Sequence, residues 1–167
     1  MAKVDLVWVA ITRSDGGLSL MQFVEKEHRS LQGEGWQIPP TPENINKEIK
    51  RAGLDCVSWR IIADEDVPLD RSFRNAWKDD GKISVDMPKA REIQKDVLRR
   101  ERGNRLAALD IEFMRAIEKN DKKALDAIAT RKQVLRDATD APEIANAKTP
   151  EELKVLMLDS LIVSKNT

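Results

Sequence analysis

A helical pattern starts at Met87 and runs to about Lys119. Asp86 stands where an N-cap belongs and Pro88 falls in the first turn, a strong start signal. At about 1.5 Å per residue the pattern predicts a rod of roughly 50 Å. Ile93 and Val97 mark the first part of its expected buried stripe, and Leu106, Leu109, Phe113 and Ile117 the second. Between them Arg99, Arg100, Glu101, Arg102, Gly103, Asn104 and Arg105 are polar, so a kink or a crossing through solvent is expected there. Asn120 and Asp121 make a turn, and a second helix follows from about Lys122 to Asp137 with Leu125, Ile128 and Leu135 on one face. A loop this short implies antiparallel packing, hence a helical hairpin. Asp140 to Glu143 and Thr149 to Glu152 each have capping-box spacing. The second box is expected to open a terminal amphipathic helix carrying Leu153, Leu156, Met157 and Leu161.

The first half reads differently. Val4, Leu6, Val7, Trp8, Val9 and Ile11 form one β-rich run and Leu18 to Val24 another, with Ser14, Asp15, Gly16 and Gly17 between them. Asp-Gly suits the positive φ angles of a tight primed turn, so a β-hairpin is predicted. Thr41 as N-cap, Pro42 at the first helical position, Ile45, Ile49 and Ala52 on one face and Gly53 as a left-handed stop describe a short helix. Leu54 to Ile62 alternates as a strand, and Asp64, Glu65 and Asp66 then form an acidic connector.

The predicted fold class is therefore α+β. A small N-terminal antiparallel sheet with one helix, in the order ββαβ, precedes a long antiparallel helical hairpin and a terminal amphipathic helix. The expected divisions are a module over 1–66, a connector over 67–86 and a helical arm over 87–167.

Composition limits the function classes. Lys plus Arg equals Asp plus Glu, 29 against 29, so no net field steers the whole chain to nucleic acid or to an anionic membrane. Charged residues make up 35% of the chain, which favours long exposed helices over a compact sphere. The N-terminal residues lack a signal-peptide pattern, and no apolar run approaches the roughly 20 residues needed to cross a bilayer. The cytoplasm is the expected starting compartment.

No catalytic, cofactor-binding or metal-binding set is expected. His28 is the one histidine and lies in a charged stretch without companions. Cys56 falls in the predicted strand, which suits a buried structural thiol better than a nucleophile paired with His28. Gly33 and Gly35 lead to Trp36 and Pro39 rather than to a phosphate-cradling Lys-Ser/Thr helix start. Asp64 to Asp66 lacks the spacing and central glycine of a calcium loop.

The candidates for partner binding are of two kinds. Arg91, Lys95, Arg99 and Arg102 recur at spacings of four, four and three and so form a basic stripe on the long helix. That stripe reads as a solvated face paired in part with Glu92, Asp96 and Glu101, as a dock for an acidic surface such as Asp64 to Asp66 of a neighbouring copy, or as a contact to nucleic-acid phosphates. Of the tryptophans, Trp8 and Trp59 fit the core, while Trp36 sits in a Gly/Pro-rich loop from which an aromatic can anchor an interface.

The run from Val67 to Trp77, with Pro68, Asp70, Arg71, Phe73, Arg74, Asn75 and Ala76, followed by Val85, Asp86, Met87, Lys89, Ala90, Arg91, Glu92 and Ile93, resembles a group of small phage and prophage proteins. Lys132, Gln133, Leu135, Arg136 and Asp137, and the Thr149 to Lys154 element, are similar to further parts of that group. The likeness spans about 67–161. It implies a tail or virion gene context without an assigned activity, and no catalytic residue is carried over. Phe73, Ala76 and Trp77 lie at helix-like spacing, so this box is expected to form a joint between the halves, with Arg71 and Arg74 available to acidic partners. The resulting expectation is a non-enzymatic phage structural protein, multi-copy or homo-oligomeric, binding other phage structural proteins through its helical hairpin. It would be found in the host cytoplasm during assembly and then in the virion. The alternatives are a tail-assembly chaperone that departs, or a regulatory nucleic-acid-binding protein using the Arg91 to Arg105 helix.

Overall fold

The computed structural model describes residues 6–24 and 39–164. The chain is mixed α+β and divides into two compact units, Met1–Asp86 and Met87–Thr167.

In the first unit β1 (Leu6–Thr12) pairs antiparallel with β2 (Leu18–Val24), and Thr12 stands opposite Leu18. The hairpin is as expected, but its turn is longer than the primed two-residue kind. Of the turn residues only Gly16 has a positive φ, +71°, and the Arg13 N–H donates to the Gly17 carbonyl at 2.9 Å, leaving three residues in the loop. The Asp15 carboxylate accepts the Gly17 N–H at 2.8 Å, so Asp15 shapes the turn through its side chain and not through a left-handed backbone.

The helix α1 (Pro42–Arg51) starts as predicted, with the Thr41 side chain accepting the Asn44 N–H. It stops at Gly53, φ +62°, where Gly53 N–H donates to Lys50 and Leu54 N–H to Ile49, the paired bonds of a Schellman motif. β3 is shorter than expected, Ser58–Ile62. It pairs antiparallel with β1, and the register puts Ser58 opposite Thr12, the last residue of β1. Residues 54 to 57 lie outside that pairing, although the Val57 N–H still donates to the Thr12 carbonyl at 2.8 Å, and Cys56 is a half-buried loop residue beside the α1 cluster rather than a strand residue.

With strand order β2-β1-β3, β1 is central and both its faces are covered. Val9 and Ile11 pack with Phe23 and with Ile45 and Ile49 of α1. Ala10 on the opposite face packs with Leu18, Ile62, Val67, Trp77 and Ile83. Burial on two faces explains why β1 reads as an unbroken apolar run.

That second layer corrects the expected connector. Segment 67–86 is part of the first unit. It contains a 3₁₀ turn, Arg74–Ala76, and a small hairpin of β4 (Trp77–Asp79) and β5 (Ile83–Val85), with Trp77 opposite Val85. The helix-like spacing of Phe73, Ala76 and Trp77 yields only this one turn. Trp77 already enters a strand, and Gly81, φ +91°, turns the hairpin.

The second unit is helical. α2 (Met87–Glu118) is unbroken through the polar stretch at 99–105, where a kink or a crossing through solvent was expected, and none of those seven residues is buried, as the second alternative requires. Its buried residues are Ala90, Gln94, Leu98, Leu109 and Ala116. Ile93 and Leu106 are only half-buried, while Val97 and Ile117 are exposed, so the first part of the stripe lies one residue round from the predicted one. Partners set this register: the buried Gln94 donates to the Leu156 carbonyl at 2.8 Å.

Asn120, φ +53°, ends α2 with its N–H on Ile117, and Asp121 N–H bonds to Ala116. Asp121 then caps α3 (Lys122–Asp137) by accepting the Ala124 N–H. A 3₁₀ turn at Ala138–Asp140 leads into α4 (Pro142–Asn146), whose N-cap position is Ala141. Asp140 lies inside the 3₁₀ turn, so the first expected capping box does not form there. At the second, Thr149 accepts the Glu152 N–H, opening α5 (Pro150–Lys154), while the Glu152 carboxylate reaches back one residue further than a capping box requires and accepts the Lys148 N–H at 2.7 Å. The expected terminal helix is split, however, because α6 is a separate segment, Leu158–Ser164. Ser160 exchanges hydrogen bonds with the backbone N–H and C=O of Met157 and so starts α6 anew, while Gln94 takes up the Leu156 carbonyl. Among the described residues no helix is long and apolar enough to cross a membrane.

Candidate functional site

The predicted interaction residues fall into separate places. Trp36 and His28 lie outside the described residues. Phe73 and Trp77 are each 5% exposed and belong to the interior of the first unit, so they offer a partner no aromatic face. Arg74 and Arg71 are exposed.

Arg71 and Arg74 border a cleft of about 290 Å³ on the first unit, together with Trp8, Arg13, residues 18 to 20 of β2, Asn75 and Trp77. The Arg71 guanidinium lies 5.9 Å from the centre of the Trp8 ring, a cation–π distance. The Trp8 indole N–H donates to Asp64 at 2.7 Å, which holds the ring. Arg13 is occupied, donating to both Asp15 carboxylate oxygens and to the Ser19 hydroxyl. Neither Arg71 nor Arg74 has a carboxylate partner among the described residues. Trp77 adds an indole N–H that is buried without an acceptor.

Close by in sequence, Arg60 of β3 grips Asp79 of β4 with two parallel hydrogen bonds of 2.7 and 2.9 Å. The Asp79 side chain is 6% exposed, and the hydrogen bond from Arg60 holds its carboxyl below the ordinary aspartate range. The pair ties the main sheet to the β4–β5 hairpin and is structural.

In the second unit the expected basic stripe is divided between two tasks. Arg91 donates to the Ala147 carbonyl at 2.9 Å. Arg102 donates to the Arg136 carbonyl at 3.0 Å and to the Thr139 hydroxyl at 2.9 Å. Both are internal clamps. Lys95 and Arg99 lie in surface pairs with Glu92 and Asp96, at 2.9 and 2.7 Å. The four cations therefore do not form one open basic face. The polar stretch that includes Arg102 and Arg105 has a further use, since Arg105 binds both Glu101 and Asp159 and thereby anchors α6. Asp159 is held below its ordinary range by that hydrogen bond.

Two apolar features went unread in the sequence. One is an open groove of about 450 Å³ along α2 and α3, floored by Leu109, Val134, Leu135 and Ile162 and rimmed by Arg105, Glu112 and Arg131. The other is a ridge on α2. Ile111 and Met114 are each 57% exposed and Ile117 is 48% exposed. Spaced three apart, they follow a helix ridge of the kind that packs into a partner's groove. Periodicity would have revealed Ile111 and Met114 as apolar residues opposite the stripe.

Among the described residues no group of three or more His, Cys, Asp or Glu side chains could hold a metal ion. No protein-family model, curated protein or solved structure matches the chain.

Proposed function

We propose that this chain is a non-enzymatic subunit of a phage particle, a tail or virion component that works by protein–protein contact through its helical second unit. The observation that carries the reading is the α2 ridge of Ile111, Met114 and Ile117, three large apolar side chains left to solvent within seven residues of a charge-rich helix. Single exposed apolar residues are ordinary, whereas a contiguous set marks a contact surface. The resemblance of 67–161 to small phage and prophage proteins supplies the setting.

On this reading α2 and α3 act as one antiparallel hairpin that presents the ridge. Support comes from cross-helix contacts that run in opposite directions along the two helices: Glu112 with Arg131, Asp110 with Lys132, and Arg102 with Arg136 and Thr139. The occupant of the ridge is another structural subunit or a second copy of the chain.

The test is a double substitution, Ile111→Lys with Met114→Lys. Both side chains are more than half exposed, so the fold should hold, with stability changed by less than about 0.5 kcal/mol for each site. Incorporation into particles should fall at least about tenfold. Unchanged incorporation would count against the ridge as the contact surface. A chain present in assembly intermediates and absent from mature particles would identify the departing chaperone. The nucleic-acid alternative loses support from the internal use of Arg91 and Arg102.

A further inference from the structure

Three observations on the first unit meet at the outer edge of its sheet. Among the described strands β2 pairs with β1 alone. The cleft is bordered by Leu18, Ser19 and Leu20 in succession. Leu18 and Leu20 share one face of the sheet with Trp8 and Trp77, while Ser19 belongs to the other, so a cavity touching all of them spans that face and reaches the edge of β2. Arg71 and Arg74 border the same cleft, and neither has a carboxylate partner among the described residues.

We propose that this edge takes an extended acidic segment of a partner protein, added as a further strand alongside β2 with its carboxylates on Arg71 and Arg74. The inference rests on the reading of the chain as an assembly subunit. Strand addition draws its affinity from the backbone groups of an edge and its selectivity from pockets for alternate side chains. Here the selecting groups are guanidiniums, whose planar fork matches a carboxylate. Trp8 holds the Arg71 fork by its ring, which lowers the ordering cost of binding. In an extended segment, acidic residues two apart lie on one side and reach one patch. A free phosphate would satisfy the arginines but would leave the strand edge without amide partners. The cleft, about 290 Å³, also has room for more than one oxyanion.

A library of short random peptides displayed on yeast, panned against the full chain, tests this. The expected result is enrichment of peptides with Asp or Glu at alternate positions. Their synthetic counterparts should show saturable fluorescence anisotropy that weakens with added salt. Affinity should drop at least about tenfold in the Arg71→Gln, Arg74→Gln double variant, whose circular dichroism should match the parent chain. Methylating alternate backbone nitrogens of the peptide should abolish binding, which a purely ionic contact would survive. The proposal is overturned by no enrichment, by enrichment without an acidic bias, by binding indifferent to the double variant, or by binding that survives backbone methylation of the peptide. If the chain is found in particles while no acidic peptide is enriched, the docking edge fails and the assembly reading stands. Acidic peptides enriched by a chain absent from particles and intermediates would give the reverse.

Discussion

Replacing Asp79 by Asn keeps the side chain's shape and removes the charge that Arg60 grips. The Arg60 side chain is 36% exposed, so the loss should be below that of a fully buried pair, about 1–2 kcal/mol in urea denaturation. The pH dependence follows from the direction of the Asp79 shift. Its folded-state pKa lies below the unfolded value, so the pair's contribution is complete above the ordinary aspartate pKa of about 3.9 and is lost as pH falls through the lower folded value. The stability gap between the parent chain and Asp79→Asn should therefore be full near neutrality and should shrink in acid. A gap that grew in acid would contradict the assignment. Gly53→Ala tests the backbone alone. No atom lies within 4 Å of an added Cβ, but φ is +62°, so the cost should be about 1 kcal/mol, seen as a lower melting temperature.

At the scale of elements, the decisive question is which face of α2 is buried. Gln94→Leu would leave the Leu156 carbonyl without its donor and should cost about 1–3 kcal/mol. Leu98→Ala, at a fully buried site, should cost about 2–5 kcal/mol. Val97→Ala should cost under about 0.5 kcal/mol, because Val97 is exposed. If the stripe ran through Ile93 and Val97, that ranking would invert. The contrast explains what could be read from the residues alone. Thr41, Gly53, Asp121 and Thr149 announce helix ends because capping chemistry is completed within a few residues. The register of α2, the late start of β3 and the split between α5 and α6 depend on partners far along the chain, and a polar Gln94 in a core carries no apolar signal. The β4–β5 hairpin was closer to legible, since Asp80 and Gly81 separate two alternating runs, but helix-like spacing in the preceding box masked it.

At the scale of the whole molecule, charge neutrality conceals a division. The first unit has an excess of acidic residues and the second an equal excess of basic ones. Whole-chain charge was thus too coarse a guide to where partners bind. The candidate surfaces show the same limit. Arg74 and Arg71 were legible as available cations. The cleft they share with Trp8 and the edge of β2 is assembled by sheet topology, which brings residues about 60 positions apart together. The α2 stripe looked like one basic face until Arg91 and Arg102 proved to be anchors within the second unit. The proposed role is that of a particle subunit working through protein contacts. Mass spectrometry of purified particles and of their assembly intermediates tests it most directly. The chain should be found in mature particles, at a copy number matching a repeated structural component; absence from both particles and intermediates, with a strictly monomeric purified protein, would contradict that role.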